Sequence, residues 1–414
     1  MDEAHCARKH NHIHRAFRGL RERTTALVAM TATPITTKAQ DLYIMGQWMG
    51  VPNFDDHKEF LELNKEINRA NRQDSKALRE AGIEGNIIRG VFIGVRNQNT
   101  PAMESPTVTR DWMIKMRERF APHVIRRTID SVDFAGKKLF GMLPYQEHTL
   151  KLQMYDWEMG ALRSFAKDLV KENPIASNFY IEFRRSMLHP MLNPKNGGHW
   201  KKPESLEKWQ NTETTIKLDT LARVVHHHLE KNGRAPLATD DDGKTLTQVP
   251  NAQDDDHDYG DDDRIVIYSA FPSSNQAIVD ILSLYGIEVI ELNGTMTLKK
   301  RQAAIDDFRT STRMSGHRVL IISNVGMVGL NLACANIMVI VDTTWSALDD
   351  EQLRGRIFRY PQKKQVHFYR LIALGTPDVF LNNISFDKGQ LHSAFVGCAR
   401  EIRMCKFDFK FYLI

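Results

Sequence analysis

The chain has 414 residues, 42% apolar and 26% charged, a composition that excludes wholesale disorder, collagen-like repeats and disulfide-rich scaffolds. The net charge is +5, but residues 238–263 hold ten Asp and one Lys, a local −9 that leaves +14 for the rest. That imbalance favours a partner with an anionic backbone, nucleic acid first; ordinary solubility charge is the alternative.

At about 150 residues per domain, two or three domains are expected. The longest apolar stretches, such as Ile337–Val341, fall far short of a bilayer span, so no membrane partner is expected. Met1–His5 is acidic and lacks an apolar core, so it does not read as a signal peptide. Cys6, Cys334, Cys398 and Cys405 share no metal-clip spacing and read as free thiols in a reducing compartment.

In chain order, residues 1–51 read as a compact α/β piece. His12–Arg23 is polar and basic, and Ala26–Met30 is a short apolar run expected to form a buried strand before Thr31-Ala32-Thr33-Pro34. Residues 52–211 read as mainly helical, with Lys58–Ala81 and Tyr155–Lys171 as breaker-poor helices. Trp112, Met116, Phe120, Val124 and Ile125 fit one apolar helix stripe, a packing face. Residues 212–263 start with a helix carrying Ile216, Leu218, Leu221, Val224, Val225 and Leu229 at helical spacing. His226-His227-His228 is expected at a solvated helix end, and the acidic tract that follows is expected to be a mobile linker.

From 264 to 414, apolar runs alternate with helical patterns. The runs are Ile265–Tyr268, Val289–Leu292, Val319–Ser323, Ile337–Asp342 and Val366–Ile372. The helices are Gln276–Tyr285, Lys299–Arg309 and Asp349–Arg359. This predicts βαβ units and a parallel sheet covered on both faces, an α/β fold whose ligands lie beyond the carboxyl ends of the strands.

Four segments carry chemistry. Asp2-Glu3-Ala4-His5 offers an adjacent carboxylate pair, one for Mg²⁺ and one to polarise an attacking water. Its bland alternative is a charged tail. The hydroxyls of Thr31 and Thr33 could relay a nucleotide's state by hydrogen bonds to that acidic motif, or merely form a strand-end turn. Gly326 and Gly329, within Ser323–Leu332, allow close approach of a phosphate or a nucleic-acid strand. In Gln352–Arg359 (QLRGRIFR), Arg356 and Arg359 are three apart, so on a helix they share a face suited to a triphosphate. A solvated basic face is the alternative.

In this order the segments resemble the Swi/Snf family of helicase-like ATPases in superfamily two. The DEAH box is similar to motif II and Leu27–Ile35 to motif III. Phe120–Asp130 and Tyr180–Asn193 resemble two family signatures between the lobes. Ile265–Phe308, Ser323–Leu332 and Gln352–Gln362 resemble motifs IV, V and VI. The resemblance implies two RecA-like lobes around ATP and Mg²⁺, with residues 1–51 a remnant of the first lobe and 264–414 the second. It implies that Asp2 holds Mg²⁺, Glu3 activates water, and Arg356 and Arg359 are catalytic fingers oriented by Gln352. His5, Gly329 and Asn331 would join the ATP site. Thr31, Asn293, Gly294, Thr295 and Ser323 would lie toward DNA, where phosphate contacts read no sequence. Double-stranded DNA or nucleosomes, other chromatin proteins and a nuclear location are implied in the same way.

The chain departs from the family pattern in lacking any Gly-x-x-x-x-Gly-Lys-[Ser/Thr] loop, and Pro361 stands where motif VI has Gly. The expected reading is a fragment of a DNA translocase that hydrolyses little or no ATP alone. The alternative is a non-catalytic DNA- or protein-binding remnant.

Overall fold

The computed structural model describes residues 1, 4–31, 38–80, 104–125, 127, 129–172, 177–193, 199–323, 330–344, 347–379 and 381–382. The chain divides into two units.

The first unit contains Met1–Arg127. Helix α1 (His12–Arg21) starts at Asn11, whose side chain accepts a bond from the His14 backbone N–H at 2.9 Å. Helices α2 (Ala39–Met49), α3 (His57–Glu80) and α4 (Ser105–Phe120) pack around Leu42, Tyr43, Phe54, Leu63, Met113 and Met116, all buried. Trp112, Met116 and Phe120 sit in this core, but Val124 and Ile125 are 50% and 87% exposed. The helix stops at Phe120, so the expected stripe is cut there.

The expected buried strand at Ala26–Met30 does not form. Val28 and Met30 are exposed, and only Leu27 and Ala29 pack, beside Trp48. Its backbone bonds to residues 1 and 4 make no strand ladder: Met30 N–H donates to Met1 O at 2.8 Å, and Ala4 N–H to Met30 O at 3.0 Å.

The second unit is α/β, as expected. Eight strands are described in it: β1 (Gln146–Leu152), β2 (Leu237–Thr239), β3 (Leu246–Gln248), β4 (Ile265–Tyr268), β5 (Ile290–Leu292), β6 (Val319–Ile322), β7 (Ile337–Ile340) and β8 (His367–Ala373). Six of them make a sheet in the order β1-β8-β7-β4-β6-β5, parallel throughout. The continuous apolar runs IVIY, VLII and IMVI are wholly buried because helices cover both faces of a parallel sheet. Helices α5 (Asp156–Glu172), α6 (Ser177–Ser186), α7 (Ile216–Glu230), α8 (Asn275–Leu284) and α9 (Leu298–Thr310) belong here, with the last turn of α10 (Ala347–Ile357) from Leu353. One core joins Val266, Leu320, Met338, Phe308, Leu353 and Ile357.

Three expectations are corrected. The sheet does not start at 264, because β1, inside the stretch read as a helical insertion, pairs along its whole length with β8. The acidic tract is not a loose linker either. It forms the β2–β3 hairpin and then runs along the amino ends of the strands. Its carboxylates are spent on turn N–H groups and cations: Asp242 accepts from Lys244 and Thr245, Asp254 and Asp256 hold Lys231, and Asp263 holds Lys364 at 2.9 Å. Gly233, at φ +67°, makes this possible, since a Cβ there would lie 2.0 Å from Asp255 O. Finally, His228 is not solvated. It is 1% exposed and bonds the Tyr369 hydroxyl at 2.7 Å, whereas His226 is exposed.

Candidate nucleic-acid and nucleotide interface

Leu292 of β5 pairs with Ile322 of β6, and Tyr268 of β4 with both Ile322 and Ile340. Asn293, Ser269, Ser323 and Val341 therefore stand one residue beyond the carboxyl ends of neighbouring strands, where parallel sheets bind ligands. This register brings two of the sequence-derived DNA positions, Asn293 and Ser323, to one edge.

At Asn293–Thr295 the chain turns. Asn293 Oδ1 accepts from the Thr295 N–H at 3.2 Å and from its hydroxyl at 2.8 Å. Gly294 and Thr295 are exposed, and among the described residues the Asn293 NH₂ is left for another acceptor. Helix α9 begins just beyond, capped by Thr297, with exposed Lys299 and Lys300 in its first turn. Those lysines escaped the sequence reading, though the Lys-Lys-Arg run after the turn was the signal for them. Ser323 differs from expectation in being 1% exposed, and its hydroxyl makes no hydrogen bond among the described residues.

The arginine pair also differs. Helix α10 ends at Ile357, so Arg359 lies past it, exposed, while Arg356 is 8% exposed. The shared helical face is not formed, because Tyr360 precedes Pro361 and the residue before a proline avoids helical geometry. Instead, Arg359 O accepts from the Gln362 N–H at 2.9 Å in a turn. Arg356 is stitched to the segment that resembles motif V. Its guanidinium donates to Leu330 O at 3.2 Å, and its own carbonyl accepts from the Leu332 N–H at 2.9 Å. Asn331 Oδ1 accepts from the Ala333 N–H, and Asn331 O from Arg309. Gln352 is four residues before Arg356 on α10, on the same side of the helix.

In the first unit, His5 Nδ1 lies 3.0 Å from the Thr31 hydroxyl. This contact joins Thr31 to His5 of the acidic motif. Asp2, Glu3 and Gly329 lie outside the described residues.

A buried charged group below the carboxyl edge was missed entirely. Lys217 of α7 and Asp378 are 1% and 0% exposed and 2.5 Å apart. Lys217 also donates to Val341 O at 3.0 Å, Arg184 donates to Thr343 O, and Asp378 accepts from the Thr343 hydroxyl. Burial pushes the Asp342 carboxyl up, opposed by Arg184 and Lys217 nearby. No local motif could reveal this group, since its members come from four distant parts of the chain.

For a nucleotide, the donor set fits in part. Arg359 offers an exposed guanidinium suited to phosphate, while Arg356 is engaged within the fold, donating to Leu330 O.

Residues 252–361 match the helicase conserved C-terminal domain. The chain is similar to an ATP-dependent helicase and to DNA repair proteins. It is 31% identical over 142 residues to the ATP-dependent helicase fft1 of Schizosaccharomyces pombe, covering 34% of this chain and 15% of fft1. It is 31% identical over 141 residues to the DNA repair protein rhp54 of the same organism, covering 34% and 16%. The chain therefore spans a small part of these relatives' length. Among solved structures, the C-terminal part of the Fun30 ATPase domain aligns at 16% identity with a TM-score of 0.43, covering 61% of this chain and 96% of that one. The Sulfolobus solfataricus SWI2/SNF2 ATPase core aligns at 18% with a TM-score of 0.43, covering 68% and 49%.

Proposed function

We propose that this chain is part of an ATP-dependent translocase on double-stranded DNA, of the chromatin-remodelling or repair type, and that it supplies the second helicase lobe. The observation that carries the reading is the edge at Asn293–Thr295. An exposed turn, followed by a capped helix start with two lysines, stands at the carboxyl end of a parallel sheet in the chain's helicase domain. Such a surface holds a phosphodiester backbone through N–H groups and cations without reading bases. Arg359 and Arg356, with Gln352, would face the nucleotide's phosphates. Asp2 and Glu3 would hold Mg²⁺ and orient water, and His5 with Thr31 would relay nucleotide state. When bound, Mg²⁺ would neutralise phosphate charge. Nuclear location and nucleosomal substrates belong to the same proposal.

Because no Lys of a phosphate-cradling loop is present in the 414 residues, the chain by itself should hydrolyse little or no ATP. DNA-stimulated phosphate release that disappears in Arg356→Ala would refute this. DNA binding is tested by fluorescence anisotropy with labelled duplexes of unrelated sequence. Equal affinity for them, weakened in Lys299→Gln/Lys300→Gln, is expected. Failure of the parent chain to bind any duplex at low salt would leave the second reading, a protein-binding remnant.

A further inference from the structure

Outside the carboxyl edge, a concentrated run of positive charge lies at α1. Residues 8–23 contain Arg8, Lys9, Arg15, Arg18, Arg21 and Arg23 against a single carboxylate, Glu22. Two of these cations have structural work. Arg8 donates to His5 O and sits 3.7 Å from Asp41, while the Arg21 guanidinium lies against Gly50 at the end of α2. The others do not. Arg15, Arg18, Lys9 and Arg23 are exposed, and among the described residues only Arg18 has an ion pair, with Glu22 at 3.6 Å. An exposed pair of that kind holds a side chain weakly.

The helix that carries them is fixed from the other side. His14 Nδ1 bonds Ala7 O at 3.2 Å, Phe17 packs edge-on against Trp48 at 5.3 Å, and Asn11 caps the start. Arg15 and Arg18, three apart, therefore share an outward face on an anchored frame.

We propose that this face of α1 is an additional contact for a nucleic-acid backbone, with Arg15 and Arg18 as its centre. Charge complementarity selects the occupant, since a row of guanidinium groups with almost no intervening carboxylate fits regularly spaced phosphates. The proposal rests on the reading of the chain as a DNA-binding lobe, and it is separable from it by experiment.

The test is duplex binding by the full chain across a series of KCl concentrations, for the parent, Arg15→Gln/Arg18→Gln and Arg15→Lys/Arg18→Lys. Each lost phosphate contact lowers the slope of log K against log salt by about 0.9, so the Gln pair should lower it by about 2 and the Lys pair should restore it. Both arginines are exposed, so the far-UV spectrum and thermal midpoint should not move. If the Gln pair binds duplex with the parent's slope, the proposal is overturned and the DNA-binding reading stands. If the parent binds no duplex, both fall. If the Gln pair loses binding to vesicles containing anionic phospholipid while duplex binding is unmoved, the face belongs to a membrane surface and the proposal is likewise overturned.

Discussion

The pair Lys217–Asp378 offers a sharp test of how the carboxyl edge is held. Its members are 1% and 0% exposed at 2.5 Å, so neither charge has water to fall back on. Removing one partner of such a pair costs about 3–5 kcal/mol, because the other charge is left buried. The two single variants should differ. In Lys217→Met, Asp378 keeps two donors, the Thr343 hydroxyl and the Ala373 N–H, both at 3.2 Å. In Asp378→Asn, Lys217 keeps two neutral acceptors, Val341 O and the new amide oxygen, but loses the counter-charge at hydrogen-bond distance. We expect about 3 kcal/mol for the first and about 5 for the second. The double variant, with no stranded charge, should cost about 5 in total, a coupling of about 3 kcal/mol. Urea unfolding followed by tryptophan fluorescence reads all three, with equal m-values as the check that the unfolded surface is unchanged. Additivity within about 0.5 kcal/mol would refute the claim that the two charges depend on each other.

Further outcomes follow from other sites. His148 and His367 are 3.0 Å apart, and burial lowers them to about 3 and about 4, while His228 is held well below its ordinary value by burial. Folded-state values below 6.5 give stability that is present above pH 6.5 and lost as pH falls toward the folded values. Glu158 works the other way: burial raises it to about 7, so its contribution is full below 4.5 and lost as pH rises through 7. Three protons against one leave a net loss of about 2–3 kcal/mol per pH unit near pH 5, and a urea midpoint flat between pH 6 and pH 5 would contradict this. Gly233→Ala places a Cβ 2.0 Å from Asp255 O at positive φ, and should detach the acidic tract, making residues 240–262 the first site of limited proteolysis. An unchanged cleavage pattern would show that the tract is held elsewhere.

Much of the second unit was legible because its central strands are unbroken apolar runs. Ile265–Tyr268 appears as read, and the neighbouring runs shift by a residue or two at their ends. Strand β1 was not legible. QEHTLKL mixes polar and apolar residues as an edge strand does, and its partner β8 lies about 220 residues on. The acidic tract was misjudged because composition counts carboxylates but not the N–H groups and lysines that receive them. Arg359 was placed on a helix by its spacing, while Pro361 two residues on held the stronger local signal. Lys217 sits on an apolar helix face where spacing alone says core, and only the sheet brings Asp378 to it.

The central claim is that the carboxyl edge of the sheet receives a DNA backbone. Amide hydrogen exchange of the full chain, with and without a saturating duplex, tests it most directly. Protection should rise in peptides covering residues 293–300, with the amino edge around Asp263 and Lys364 unchanged. Protection confined to that amino edge, or none at 293–300 under conditions where the duplex is bound, would contradict the account.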